Sequence, residues 1–475
     1  MWEKYSLINN SNLNEFEKKH ETKMKDWYNN QFHLSGYSGS VNDPNGLVYY
    51  NNQYYIFLQS CLFSIEHHNK SWGLYTTKDF INYTYEGIVI TPSCEWDKHG
   101  VFSGSAKVNK NGELEFFYTG NIKLDTINRT ATTIKALVDL KKKIVTKELL
   151  FTADLTKYTG HFRDPIIFEK DNNLYMLNGA QTLDIKGILS VYKFNNNKWE
   201  FFKDIELDQN DKQKSYMVEC PNYFELDGKT FIFACFEKEG PIATGSHFVK
   251  YLEVEFDKEL NITSNSTLNK IDLGFDFYAP QVFDNTGNRK IMLGWLGNSK
   301  SNVFPPELTT WSNQLTVPRE LFVKNNKLYQ LPVKELEQLR VKTIDGKYEN
   351  GTVELLANNI SDKDFNIEIK SDSKSIVMKN VNKTLIIVRS NVDYADEENL
   401  PSILKFEDLK VQDIQILIDR SCMEIFINKG EHAISVRFYL KNHNQIITDL
   451  TNTQIFQLKG YEYSWNNIIF ENKTK

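Results

Sequence analysis

The stretch "SVNDPNGLVYY", Ser40–Tyr50, decides how the chain is read. Four turn-forming residues, Asn42, Pro44, Asn45 and Gly46, surround one acid, Asp43, and strand-type residues follow at once. Pro44 biases Asp43 away from helical backbone, and Asn45-Gly46 permits positive φ and a sharp reversal. Taken alone, this is a turn capped by an acid. It does not stand alone. Related turn motifs follow: "FSGSA" around Gly104, "FRDP" with Asp164, "VECPN" with Glu219 and "DFYAPQ" with Asp276, at intervals of 55 to 61 residues. A unit of that length holds about four short strands with their loops, which is one propeller blade. Five such units closed in a ring would bring equivalent positions together at a central channel. Five unrelated loops in a large β domain is the alternative, and the even spacing weighs against it.

The rest of the chain agrees with that reading. Residues 11–30, "SNLNEFEKKHETKMKDWYNN", read as a polar helix. From about Gly36 to Arg319, short aromatic and β-branched runs alternate with Asn, Gly and Asp turns, the pattern of hairpins rather than helices. The repeats end near "LTVPREL", Leu315–Leu321. Then "KLYQLPVKELEQLRVK" reads in its second half as a short connecting helix. Beyond Gly346 alternating strand signals return, consistent with a β-sandwich. The expected fold class is all-β: a five-bladed β-propeller and a C-terminal β-sandwich with a short N-terminal helix. The expected parts are 1–30 helical, 31–325 propeller, 326–345 linker and 346–475 sandwich, the last structural or a subunit contact.

Composition narrows the function. The 475 residues are 40% hydrophobic and 25% charged, with net charge −6 from 56 basic and 62 acidic residues. No basic surplus points to nucleic acid. No stretch approaches a membrane span, and the N-terminus shows no apolar core of signal-peptide length, so a cytoplasmic location is expected. Five scattered cysteines with no CxxC pair fit reduced thiols better than disulfides or a zinc site. Asn-x-Ser/Thr triplets such as Asn128-Arg129-Thr130 read as chance in an Asn-rich chain.

Three acids stand out. Besides Asp43, Asp164 precedes a proline, which suggests another rigid extended corner, and Arg163 beside it should keep it ionised. Glu219 lies between Met217-Val218 and Cys220-Pro221. Apolar neighbours and facing carboxylates should raise its pKa, as a general acid requires. Three carboxylates on rigid corners of one channel suit glycoside hydrolysis: one attacks the anomeric carbon, one protonates the leaving oxygen, one holds hydroxyls. Trp72, Phe102 and Trp295 could wall the site, although lone tryptophans are more often core.

These motifs resemble glycoside hydrolase family 32, the invertases, fructosidases and sucrose-6-phosphate hydrolases. "NDPNG", "FSGSA", "FRDP", "EC", "DFYAPQ", "GW" at Gly294-Trp295 and "LTVPREL" occur in the family's order, and "DRSCMEIFINKGE", Asp419–Glu431, resembles the hallmark of its sandwich. The resemblance spans roughly residues 30–440. It implies a retaining hydrolase: Asp43 as nucleophile on C2 of a fructosyl unit, Glu219 as general acid and then base, and Asp164 as transition-state stabiliser. It places Asn42, Gln59, Trp72, Phe102, Ser103, Arg163 and Trp295 in the fructose pocket, with Asp272 or Asp276 as further contributors. It implies no metal or cofactor, a small sugar as partner, neither nucleic acid nor membrane, and a monomer or homodimer. Two departures lie at the pocket rim. Ser40 and Val41 stand where many members have an aromatic and a Met, and "LQSCLFSIEHHNKSWG" where many have Asn-Pro. The "HFRDP" form and the N-terminal helix look like the bacterial branch that cleaves sucrose 6-phosphate. His67, His68, Lys70 and Lys98 are candidates for holding that phosphate. Hydrolysis of sucrose or fructo-oligosaccharides, fructosyl transfer, or sugar binding without catalysis are the alternatives. Intact Asp43, Asp164 and Glu219 argue against the last.

Overall fold

Pairs of Asn, Asp and Gly between strand-type runs can take left-handed backbone at both positions, and that is what a two-residue hairpin turn needs. In the computed structural model Asn51-Asn52, Asp171-Asn172, Asn196-Asn197 and Asn325-Asn326 all have positive φ, and each joins two antiparallel strands. The structure describes residues 8–66, 68–209, 214–240, 247–264, 267–301, 304–360, 363–395 and 401–475. Within them the chain is nearly all-β, with one short helix, Leu13–Met24, near the start. No helix among the described residues is long and apolar enough to cross a membrane.

The described strands form seven sheets. Five begin with the strands Gly39–Tyr50, Val101–Val108, Tyr158–Lys170, Met217–Leu226 and Tyr278–Val282. Each of these lead strands carries one of the recurrent motifs, the fifth with its acid, Asp276, just ahead of it. The lead strands pack first on second, second on third, third on fourth, fourth on fifth and fifth on first. All five line one narrow void of about 10 Å³, and a second cavity, of about 210 Å³, shares Ile166 and Gln281 with its lining.

The same irregularity recurs on every lead strand. Pairing with the next strand is broken between Val41 and Pro44, Val101 and Gly104, Arg163 and Ile166, Glu219 and Asn222, and Tyr278 and Gln281. Such a bulge leaves backbone groups off the ladder and re-aims side chains. The freed groups are satisfied across the ring. The Gly104 amide donates to Asn45 Oδ1 (3.1 Å), Ser105 Oγ to the Pro165 carbonyl (2.8 Å) and the Cys220 amide to Asp164 Oδ2 (2.9 Å). Asn222 Nδ2 donates to the Pro280 carbonyl (2.7 Å), and the Leu47 amide to Gln281 Oε1 (2.8 Å). Every junction between neighbouring lead strands thus has at least one such bond.

The chain closes on itself at the edges. Trp311-Ser312 pairs in parallel with Gly39-Ser40. Strand Lys327–Pro332 completes the fifth sheet, in a stretch the sequence suggested as linker, and a 3-10 turn, Lys334–Leu339, follows. Two further sheets, of six and five strands, enclose the second large apolar core, around Val353, Ile367, Ile387, Ile416 and Ile434. The end of the stretch expected as sandwich, 346–475, also reaches the first two sheets. Glu462–Trp465 pairs in parallel with Asn82–Tyr85 of the first sheet, and Glu471–Thr474 with Ile144–Lys147 of the second. The outer strands of those two sheets carry unpaired backbone groups, and the C-terminal segment covers them.

A buried ionic seam joins the two halves. Arg319 is fully buried and donates to Glu424 Oε2 (2.7 Å), Asp272 Oδ2 (2.9 Å) and Ser435 Oγ (2.6 Å). His33 sits between Asp419 (2.8 Å) and Glu424 (3.0 Å), one on each ring nitrogen. Burial opposes its charge, but Cys422, Asp419 and Glu424 outweigh it and hold its pKa well above the ordinary value. Removing one partner of such a set leaves buried charge uncompensated, at a cost of about 3–5 kcal/mol. Arg319→Ala is therefore expected to lose about that much stability in denaturant titration. A loss below about 1 kcal/mol would show that the seam contributes little.

Candidate active site

The bulges turn the three sequence-flagged acids toward one another. Asp43 lies on the first, Asp164 on the third, and Glu219 flanks the fourth. The extended corner expected at Asp164 is not what the chain adopts: its φ is +64°, and the matching residues Cys220 and Ala279 have +46° and +45°. Each precedes a proline, where left-handed backbone is doubly disfavoured. The bonds across the ring hold them there.

Asp43 is fixed by its neighbours. Asn42 Nδ2 donates to Oδ1 (3.0 Å), and Ser103 Oγ donates to Oδ2 in a very short bond. Gln59 ties both donors together. Its Oε1 accepts from Asn42 (2.6 Å) and from Lys70 Nζ (2.6 Å), and its Nε2 donates to Ser103 Oγ (3.1 Å). Burial raises the Asp43 pKa, against Lys70 and Ser103. The Cys220 thiol lies 3.5 Å from Asp164 Oδ2 and 3.9 Å from Asp43 Oδ2, between the two carboxylates. Contact with Cys235, burial and the two acids keep this thiol protonated, its pKa well above the usual value.

The charge states of the other two acids are opposite to the expectation. Arg163, next to Asp164 in sequence, turns its guanidinium to Glu219 Oε1, with Nε at 2.9 Å, while Tyr278 Oη donates to Oε2 (2.7 Å). Burial works against the Glu219 charge, but Arg163 and Tyr278 prevail and bring its pKa down to about 2. Its half-buried neighbour Glu237 is pushed up to about 8 by desolvation and by the Glu219 charge. The Glu219 charge and burial both favour the protonated form of Glu237, so the two carboxyls titrate together. Asp164 goes up to about 7, through burial and then the fields of Glu219 and Asp43, against Arg163. The elevated acid is thus Asp164 rather than Glu219, because desolvation wins wherever the cation is aimed elsewhere.

Asn42, Asp43, Gln59, Ser103, Arg163, Asp164 and Glu219 therefore form one connected site. Phe102 is half-buried beside it, with Lys70 Nζ 5.0 Å from its ring centre. Trp72 is fully buried, packed on Phe57 and Tyr118, and its indole N–H donates to the Phe102 carbonyl (3.2 Å). Trp295 is likewise buried, edge-on to Tyr278. Both tryptophans stand behind the site as supports. Asp272 and Asp276 face the seam: Asp272 pairs with Arg319 and Ser435, Asp276 with Arg437 (2.9 Å) and Arg389 (2.7 Å). Of the phosphate candidates, His67 lies outside the described residues. His68 faces Glu66 (3.5 Å), Lys98 faces Glu95 (2.9 Å) and Lys70 belongs to the Asp43 network.

Sequence reasoning missed Tyr278, Glu237 and the central place of Cys220. Tyr278 lay inside the quoted "DFYAPQ" and Cys220 inside "VECPN", so their positions were visible though their contacts were not. Glu237 has no sequence signal; it comes beside Glu219 through the pairing of Met217–Leu226 with Lys229–Glu237. Among the described residues no cluster of His, Cys, Asp and Glu is arranged to hold a metal ion.

Two family models match this chain: glycosyl hydrolases family 32 N-terminal domain over residues 33–332, and glycosyl hydrolases family 32 C terminal over 314–466. A sucrose-6-phosphate hydrolase of Vibrio alginolyticus is 31% identical over 444 residues, covering 90% of each chain. One from Bacillus subtilis is 30% identical over 465 residues, covering 91% of this chain and 94% of its own. Among solved structures, sucrose-6-phosphate hydrolase from Lactobacillus gasseri superposes with TM-score 0.86 at 26% identity, over 97% of this chain and 99% of that one. A Bombyx mori beta-fructofuranosidase shares the fold, with TM-score 0.80 at 20% identity over 96% of this chain and 98% of that one.

The Asp164 shift carries a sign that stability measurements can read. An acid whose folded pKa lies above its unfolded value holds its proton more tightly when folded. Stability then falls as pH rises from about 4 to about 7. Asp164→Asn removes that loss. The variant should be more stable than the parent at pH 8 by a few kcal/mol, at about 1.4 per pKa unit, and nearly equal to it at pH 4. A difference independent of pH would disprove the raised pKa.

Proposed function

The chain belongs to glycosyl hydrolase family 32, and from that premise we propose that it is a cytoplasmic, retaining β-fructofuranosidase that hydrolyses sucrose 6-phosphate to fructose and glucose 6-phosphate. The observation that carries the mechanism is the single cluster of Asp43, Asp164 and Glu219, with Asp43 braced from one side and Glu219 hydrogen-bonded from the other. The sucrose-6-phosphate hydrolases matched over nine-tenths of the chain support the substrate.

In this reading Asp43 attacks C2 of the fructosyl unit to form a glycosyl ester. Asn42 and Ser103 hold the plane of its carboxylate for that approach. Glu219, titrating together with Glu237, protonates the departing glucosyl oxygen and then takes a proton from the water that cleaves the ester. Asp164 binds sugar hydroxyls and stabilises positive charge developing at the anomeric centre. Arg163, Gln59 and Phe102 complete the fructose pocket, with Trp72 and Trp295 as supports behind it.

The five sheets with contacting lead strands are read as the blades of a five-bladed propeller, and the two C-terminal sheets as a sandwich. The ring of contacts and the shared central void favour this. The division follows: a helical extension, a propeller whose last strand runs through Pro332, a short 3-10 connection, and the sandwich.

Initial rates on sucrose 6-phosphate, sucrose and a short fructo-oligosaccharide test the substrate, with a preference for the phosphorylated sugar expected. Preference for an unphosphorylated one would defeat that assignment. Asp43→Asn and Glu219→Gln should each stay folded and lose activity by about 10³-fold or more. Tyr278→Phe removes a bond that holds the Glu219 pKa down, so the alkaline limb of kcat/KM should move to higher pH. A limb that stays in place would remove Tyr278 from that role.

A further inference from the structure

The cations around the acids divide into two groups. Lys70 belongs to the Asp43 side, through Gln59 and Ser103. On the Glu219 side, Arg163 bridges outward: Nε reaches Glu219, and Nη1 donates to His161 Nδ1 (3.0 Å). The leaving group must lie on that side, because Glu219 delivers its proton.

His161 is therefore the next group outward from the acid, and it is half-buried. Accepting at Nδ1 from a guanidinium fixes its tautomer. The ring proton sits on Nε2, a donor. Burial and the charges of Arg163 and Arg129 bring its pKa to about 4, so the ring is neutral until an anion arrives.

Arg129 flanks it across a contact that only glycine permits. A Cβ at Gly160 would come within 2.2 Å of the Arg129 carbonyl oxygen and 2.6 Å of its Cγ. The Arg129 stem thus lies on the Gly160 backbone, one residue from His161. Glu219 and Glu237 are the acids on the same side, and burial with the Glu219 charge favours the protonated form of Glu237.

Resting on the reading that the substrate's leaving group is phosphorylated, we propose that Arg129 and His161 form the subsite that grips this phosphate, with Gly160 as the seat that positions the arginine. A guanidinium fork offers parallel donors to a phosphate, and His161 Nε2 adds a third.

The test compares wild type with Arg129→Ala, Arg129→Lys, His161→Gln and Gly160→Ala. The readouts are the ratio of kcat/KM for sucrose 6-phosphate over sucrose, and the calorimetric affinity for glucose 6-phosphate against glucose. Arg129→Ala should lower the ratio by about tenfold or more, with the loss in KM, and weaken glucose 6-phosphate to a similar degree. Arg129→Lys should fall between, and Gly160→Ala should follow Arg129→Ala. If Arg129→Ala fails to fold, Arg129→Lys and His161→Gln carry the comparison. A wild type that prefers sucrose 6-phosphate, with variants keeping its ratio within about twofold, would overturn the subsite and leave the proposed function standing. Equal losses on both sugars would also overturn it. A wild type without that preference would defeat the substrate reading, and the subsite with it.

Discussion

Everything in the site depends on one constraint: each lead strand must break its own ladder at the same place and repair the break on its neighbour. A strand in regular register points alternate side chains to opposite faces and satisfies its backbone with its sheet partner. At the five bulges that arrangement fails, and Asn45, Ser105, Asp164, Asn222 and Gln281 supply the missing bonds around the ring. Asp164 shows the economy of this. One of its oxygens holds the Cys220 amide, so the same carboxylate is a structural stitch and a member of the acid cluster. The left-handed backbone at Asp164, Cys220 and Ala279 persists because bonds on both sides over-determine it.

The acids also show that adjacency in sequence says little about electrostatics. Arg163 and Asp164 are chain neighbours on a strand, so their side chains diverge, and the guanidinium goes to Glu219 on the next sheet. Arg163 favours the charged form of both acids, but with Tyr278 it prevails over burial only at Glu219, which goes down while Asp164 goes up. A burial penalty applies to all three acids alike. Which of them escapes it is decided by where a single arginine points.

The second half of the chain braces the first. The acid of the fifth motif, Asp276, stands where a fifth active-site group would be expected from the repeat. Two arginines from the C-terminal sheets, Arg389 and Arg437, take it instead. Asp272 is taken in the same way by Arg319, whose own strand belongs to the fifth sheet, while two of its further partners, Glu424 and Ser435, belong to the C-terminal sheets. Complementary buried charges at a junction of this kind favour one docking geometry over others, since any shift leaves an ion unpaired.

Several features were legible in the residues themselves. Asn and Asp pairs between short aromatic runs specify hairpins through local φ preferences, so the near all-β character and the short N-terminal helix could be read directly. The even recurrence of acid-bearing turns singled out Asp43, Asp164 and Glu219, which local chemistry places on bulged corners. The family was legible in the order of those motifs. Tertiary structure alone decided the rest. It paired the last strands, Glu462–Trp465 and Glu471–Thr474, with sheets begun over three hundred residues earlier. It buried Trp72 and Trp295 behind the site, diverted Asp272 and Asp276 into the seam, and set Glu237 and Tyr278 against Glu219. The physical reason is common to all of these. Turn geometry depends on a residue and its neighbours, whereas burial, ion pairing and edge pairing depend on what the rest of the chain brings to that point in space.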